Sequence, residues 1–266
     1  MSFAVAAESY DRFMGRYSTR LAPVFADFAE VQRGQTVLDV GCGPGALTAV
    51  LVDRVGAGSV AAADPSEPFV AAARERHQGV QVEQSPAETL PFAADSFDRV
   101  VAQLVVHFMA DPVAGIREMG RVAKPGGRVA ACVWDHATGG GPLAGFWEAA
   151  LTVRPDVPDE SGLAGARRGH LTELFVAAGL DDVVETSIGV EVEHTTFADW
   201  WEPFTLGVGP AGAFVAGLEP QERADVEAAC RAYYPTVPFV VEARAWACAG
   251  NAPSFVASAQ HAPRGQ

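Results

Sequence analysis

Residues Val37-Leu38-Asp39-Val40-Gly41-Cys42-Gly43-Pro44-Gly45 restrict the chain to few architectures. A short β-branched run enters a glycine-rich turn, and Ala46 to Arg54 then takes helical spacing. Glycine removes the Cβ that would keep a ligand away from the backbone, and the helix start offers free N–H groups. The alternation continues along the chain. Strands are expected at Ser59–Ala63, Val80–Glu83, Phe97–Ala102 and Arg128–Trp134, and helices at Glu67–His77 and Pro112–Val122. Such alternation argues for βαβ units and a parallel sheet. Tyr10 to Ala29 is spaced as a helix, and Leu171 to Ala178 as another that Gly179 would stop. Asp182–Thr196 and Phe239–Ala249 alternate as strands. The latter sets Val240, Glu242, Arg244 and Trp246 on one face, with Val241, Ala243, Ala245 and Ala247 on the other.

Between those two strands, Phe197–Pro238 is helical in flavour and rich in aromatic residues. About 40 residues is too few for an independent core, so the stretch reads as an insertion. The expected organisation is an N-terminal helical lid over 1–34 and a cofactor-binding core over 35–196. A helical cap follows over 197–238, then the final strand of the core and a tail over 239–266.

Composition narrows the partners. The 266 residues carry 33 acidic and 19 basic side chains, a formal net charge of −14. Phosphate backbones and anionic lipid surfaces repel such a chain, so a small molecule is the expected partner rather than nucleic acid or membrane. No run approaches the roughly 18 apolar residues of a membrane span, and Met1 to Tyr10 lacks a basic secretion n-region. Cys42, Cys132, Cys230 and Cys248 lie far apart with no CxxC pair. Buried thiols in a reducing cytoplasm are expected, with no metal site, in a monomer or homodimer.

Gly41, Gly43 and Ala46 also satisfy the dinucleotide pattern GxGxxG/A, so an NAD(P)-dependent oxidoreductase competes at this point. Two carboxylates discriminate. Asp39 stands just ahead of the turn, where it repels a pyrophosphate and attracts the ammonium of a methionine moiety. Asp64 ends the second strand, where a carboxylate accepts from both ribose hydroxyls of either cofactor.

With these motifs in order, the chain resembles the class I S-adenosylmethionine-dependent methyltransferases, particularly the small-molecule enzymes related to ubiquinone and menaquinone biosynthesis. The resemblance runs from Tyr10 to Trp134. It takes in Val37–Gly45, Asp64-Pro65-Ser66, Pro86 to Phe92 with Asp95-Ser96-Phe97-Asp98, and Arg117 through Gly127. It implies a doubly wound, Rossmann-like α/β fold with a seven-stranded, mostly parallel sheet, an antiparallel last strand and S-adenosyl-L-methionine as cofactor. By the same resemblance, Asp39, Gly41 and Gly43 hold the methionine end, and Gln103 faces its ammonium group. Asp64 holds the ribose, with Pro65 beside the adenine and Ala87 and Glu88 lining the adenine pocket. Tyr10 and Arg16 belong to a lid over the cofactor. Pro86 stands where the family usually has an Asp that accepts from the adenine amine, and proline offers no such group.

Methyl transfer from a sulfonium is an in-line displacement that needs alignment and exclusion of water, and a base only for a protonated acceptor. His107, past the fourth strand, and His136, past the fifth, are candidate bases at the ligand-binding edge of such a sheet; a packing role competes for each. Trp200, Trp201 and Phe204 either wall a substrate pocket or form core. Ala102-Gln103-Leu104-Val105-Val106 departs from the Asn-Pro-Pro-Tyr type that resembles methyltransferases acting on bases. A quinone-like or natural-product acceptor follows from family analogy, and a non-catalytic S-adenosylmethionine-binding protein stays open.

Overall fold

The computed structural model describes residues 7–158 and 160–254; residues 1–6 of the expected lid and the tail 255–266 lie outside them. Among the described residues, seven strands form one sheet: β1 Val37–Val40, β2 Val60–Asp64, β3 Gln81–Gln84, β4 Phe97–Gln103, β5 Ala123–Trp134, β6 Asp181–His194 and β7 Phe239–Asn251. Their order is β3-β2-β1-β4-β5-β7-β6. The pairs among β1 to β5 are parallel, while β7 runs antiparallel between β5 and β6. The seven-stranded, doubly wound fold with its antiparallel last strand is the one expected. The strand order reverses at β1, between β2 and β4, which is where ligands bind in open sheets of this kind.

Burial explains the strand sequences. All four residues of β1 are buried, as a central strand covered on both faces requires. Along β5, Ala130, Cys132 and Trp134 join the core on one face of the sheet, and Val129, Ala131 and Val133 join the other. On β7, Val241, Ala243, Ala245 and Ala247 are buried and Glu242 is exposed, as the alternation predicts.

Ten α-helices are described. α1 (Ala7–Tyr10) and α2 (Arg16–Phe28) are joined by a π-helical turn at Asp11–Gly15. Sequence periodicity predicts one unbroken helix there, but the turn widens over Asp11–Gly15, where buried Gly15 leaves only 3.3 Å between an added Cβ and the Asp11 side chain. α3 (Ala46–Val55) and α4 (Glu67–Arg76) follow β1 and β2. α5 (Pro112–Val122) starts where Asp111 accepts from the Ala114 N–H, with Pro112 at the first helical position. α6 spans Ala144–Leu151, and α7 (His170–Ala178) ends at left-handed Gly179. The stretch 197–238 holds α8 (Phe197–Trp201), a 3-10 turn at Glu202–Leu206, α9 (Gly209–Ala216) and α10 (Pro220–Tyr233). Its Phe197, Trp200, Phe204 and Val226 share one continuous core with Leu21 and Phe25 of α2.

The segment expected to be a turn before the fifth strand, Lys124–Gly127, lies within β5 as a bulge: Phe97 pairs with Ala123 and Arg99 with Arg128. Asp98 fastens it, accepting at 2.8 Å from the Thr36 amide, the Thr36 hydroxyl and Lys124 Nζ. Burial acts to raise the Asp98 carboxyl, but these donors prevail and hold it at about 2. Its stabilisation is therefore present above the unfolded carboxylate range and lost as pH falls towards 2. Asp98→Ala should lower stability by about 2 kcal/mol at pH 7, chiefly by stranding the Thr36 amide. Urea titrations should show that difference shrinking as the pH is lowered from 5 towards about 2.

Candidate functional site

The turn after β1 is fixed by hydrogen bonds to the end of β2. The amides of Gly41 and Cys42 both donate to the Ala63 carbonyl, at 2.7 and 3.0 Å, and the Gly43 amide donates to Asp64 Oδ2 at 2.8 Å. Gly41 has φ +70°, and a Cβ there would collide with the Val105 side chain. The loop thus needs glycine both for its backbone and for the close approach of the segment after β4.

A cavity of about 360 Å³ opens at the carboxyl ends of β1, β2 and β4. Tyr10, Gly41, Gly43, Asp64, Pro65 and Gln103, all named from sequence, line it together. Asp64 is 6% exposed, and its second oxygen accepts from the Ser66 amide at 2.8 Å. Burial raises its carboxyl above the usual range, with the Ser66 and Gly43 amides opposing the rise. Gln103 donates through Nε2 to the Ser18 carbonyl at 3.1 Å, while its buried Oε1 has no partner. Leaving a buried amide oxygen without a donor is costly, which sets this atom apart among the cavity residues. Tyr10 packs edge-on to Phe69 with ring centroids 5.4 Å apart, and burial pushes its phenol up to about 12. It is a protonated wall residue at neutral pH.

Phe69, Leu104, Val105 and Phe108 also line the cavity, and sequence reasoning did not single them out. Leu104 turns the chain with φ +63°, its amide donating to the Cys132 carbonyl at 2.8 Å. A left-handed leucine costs of the order of 1 kcal/mol and no sequence pattern announces it.

Asp39 does not line the cavity. It lies behind the glycine turn, 1% exposed, accepting from the Thr48 hydroxyl at 2.6 Å. Burial drives its carboxyl up to about 7; Thr48 opposes this and Asp64 adds to it. Three other positions expected at the cofactor, Arg16, Ala87 and Glu88, also lie off this lining. Arg16 turns away from the cavity to His194 Nδ1 at 3.0 Å and Asp199 Oδ2 at 3.2 Å, because those partners are offered by β6 and α8. Ala87 is 7% exposed in the core beneath α5. Glu88 accepts from the Asp111 amide at 3.1 Å, satisfying an N–H ahead of α5. Ser85, just before Pro86, is buried with its hydroxyl unpartnered. Trp200, Trp201 and Phe204 are at most 5% exposed and stack among Phe146, Phe197 and Tyr234, so they form core and not the wall of this cavity.

His107 and His136 come together. His107 lies on a 3-10 turn, Val106–Phe108, after β4, and His136 follows β5; their ring centroids are 5.9 Å apart. Burial lowers His107 to about 3, with His136 contributing, and burial also lowers His136. Both rings are neutral at pH 7. His107 Nδ1 and His136 Nε2 are buried without a partner.

The methyltransferase domain family profile matches residues 38–131. Demethylmenaquinone methyltransferase of Shouchella clausii is 32% identical over 177 residues, covering 59% of this chain and 75% of that protein. The ubiquinone/menaquinone biosynthesis C-methyltransferase of Klebsiella pneumoniae is 38% identical over 110 residues, covering 39% of this chain and 44% of that one. The chain thus spans less than half the length of the second relative. Phosphoethanolamine N-methyltransferase 2 of Haemonchus contortus, solved with S-adenosylhomocysteine, shares the fold at a TM-score of 0.57 and 18% identity, covering 93% of this chain and 57% of that one. With its glycine turn, its buried Asp64 at the end of β2 and the order of its strands, the chain belongs to the class I S-adenosylmethionine-dependent methyltransferases, in the group related to the ubiquinone and menaquinone enzymes.

Proposed function

We propose that the chain transfers a methyl group from S-adenosylmethionine to a small organic acceptor. The unpartnered Gln103 Oε1, on the same cavity wall as the glycine turn and Asp64, carries this reading. That oxygen suits an ammonium donor, and the Asp64 carboxylate suits a ribose diol. Pro65 and Phe69 offer flat apolar surface for an adenine ring. When bound, the cofactor supplies a methyl group already activated on a sulfonium. The chain's own task is to orient both partners and keep water out, with Tyr10 and Phe69 forming the outer wall. Asp39, behind the turn, supplies negative potential for the same ammonium.

A quinone-like phenol or comparable natural product is the acceptor we favour, supported by the relatives named for menaquinone and ubiquinone biosynthesis. The net charge of −14 supports a small molecule over a nucleic acid. Calorimetry on the purified chain tests the cofactor reading. S-adenosylmethionine and S-adenosylhomocysteine should saturate one site with dissociation constants in the micromolar range, about −8 kcal/mol, and NAD should give no heat. Saturation by NAD with no uptake of either sulfur compound would overturn it.

A further inference from the structure

A second cavity, of about 390 Å³, lies beside the cofactor cavity at the same edge of the sheet. His136, Trp147, Glu148, Leu151, Val157 and Glu160 are among its lining residues. Its size falls within the range of roughly 300 to 1,000 Å³ usual for small-molecule sites. The two cavities are linked by a run of rings. Phe108, on the cofactor side, lies 3.9 Å from His107 between centroids, and His107 in turn contacts His136.

The wall around His136 is built for a polar guest. His136 and Glu160 side chains are only 8% and 10% exposed, with Nδ1 and Oε2 3.9 Å apart. Trp147 of α6 donates its indole N–H to the same Glu160 oxygen at 2.7 Å, which fixes the carboxylate. His136 Nε2 and His107 Nδ1 are both buried without partners, and no hydrogen bond joins the two rings. Two such nitrogens on neighbouring rings, 5.9 Å apart between centroids, suit a single hydroxyl that donates to one and accepts from the other. Glu160 and Glu148 give the cavity negative charge, which disfavours an anionic guest.

Resting on the methyltransferase reading above, we propose that this second cavity is the acceptor pocket, that His136 is its general base and Glu160 its positioning carboxylate, and that the acceptor is an uncharged hydroxylated ring. The hydroxyl proton passes to His136 Nε2, giving an imidazolium beside the Glu160 carboxylate. The electron pair left on the acceptor oxygen forms the new bond to the methyl carbon as the carbon–sulfur bond breaks, its pair remaining on sulfur as a neutral thioether. One positive charge is thus handed from sulfur to the imidazole, and the methylated product leaves neutral. His107, Asp135 and Glu160 are the titratable groups that set the His136 balance. His107 stays uncharged, while Asp135 and Glu160 favour the imidazolium against the opposing effect of burial. Glu148 faces the same space from α6.

The test is nitrogen-15 NMR of the histidine rings in the full chain saturated with S-adenosylhomocysteine, titrated separately with phenol, benzoate and benzylamine. Phenol should move the His136 and His107 ring signals saturably, and benzoate should leave them in place. Glu160→Gln should weaken phenol several-fold and lower the His136 titration midpoint by roughly half a pH unit or more, since a favourable negative charge is lost. Glu160→Asp should restore part of both effects. Uptake of S-adenosylhomocysteine, followed by calorimetry, should match the parent in both variants. If uptake is normal but phenol leaves both rings unmoved, or Glu160→Gln leaves the His136 midpoint where it was, the cofactor reading stands and this proposal falls. Tighter binding of benzylamine than of phenol overturns the acceptor class. Absence of uptake in the parent chain removes the methyltransferase reading and this one with it.

Discussion

Replacing Asp64 by alanine is expected to weaken S-adenosylmethionine binding about 100-fold, with the chain still folded. Two ribose hydroxyls donating to one carboxylate are each worth roughly 1.5 to 3 kcal/mol, and water recovers part of that in the variant. The substitution also removes the acceptors of the Gly43 and Ser66 amides, which hold the glycine turn to the end of β2. The two effects separate by measurement. Isothermal calorimetry reads the affinity, and a melting curve without cofactor reads the loosened turn. A variant that binds within about threefold of the parent would show that Asp64 serves the loop alone.

Asp39→Asn should act in opposite directions on stability and on binding. A carboxyl whose folded-state value of about 7 exceeds its unfolded value of 3.8 holds its proton preferentially in the folded chain. Stability contributed through this group is therefore greatest at low pH and falls as pH rises from about 4 to about 7. At pH 8 the ionised, buried carboxylate costs folding on the order of 4 kcal/mol, by the 1.4 kcal/mol that accompanies each pH unit. Asparagine keeps an oxygen for the Thr48 hydroxyl and cannot ionise. It should raise the melting temperature markedly at pH 8, with the gain disappearing as the pH approaches 4. The same exchange removes negative potential behind the cofactor's ammonium group, so affinity should fall by roughly tenfold. In the parent chain, affinity should climb as pH rises through about 7, and this limb should be missing from the variant. An unchanged melting temperature at pH 8 would mean that Asp39 is already ionised without cost.

The contrast between what could and could not be read from residues alone has a physical basis. All seven strands were legible because β-branched and alanine runs alternate with helical spacing, and a sheet covered on both faces requires that pattern. Five cavity residues were legible because they lie within a few positions of strand ends, Gly41 and Gly43 after β1, Asp64 and Pro65 at β2 and Gln103 at β4, whereas Tyr10 came from the resemblance alone. Non-local pairings were not. Arg16 meets His194 and Asp199 across some 180 residues, so nothing near it signals that it will turn away from the cofactor. Glu160 lies in a loop with no periodicity, and its worth depends on Trp147 and His136 arriving from two other elements. Asp39 shows a subtler limit. Its place before the turn was readable, but the Thr48 hydroxyl that takes its oxygen comes from α3.

The pinning of Arg16 is reinforced by its neighbour. Tyr17 reaches the same His194 ring through its hydroxyl at 3.0 Å, so two successive residues at the head of α2 are tied to one fully buried imidazole. Those ties fix the head of α2, whereas α1 and the wide turn at Asp11–Gly15 are held by other partners. Asp11 in that turn pairs with Arg76 on α4, at 2.7 Å between partly exposed side chains. The ion pair is worth at most about 1 kcal/mol, so the Tyr10–Phe69 ring contact is the firmer tie of this segment to α4.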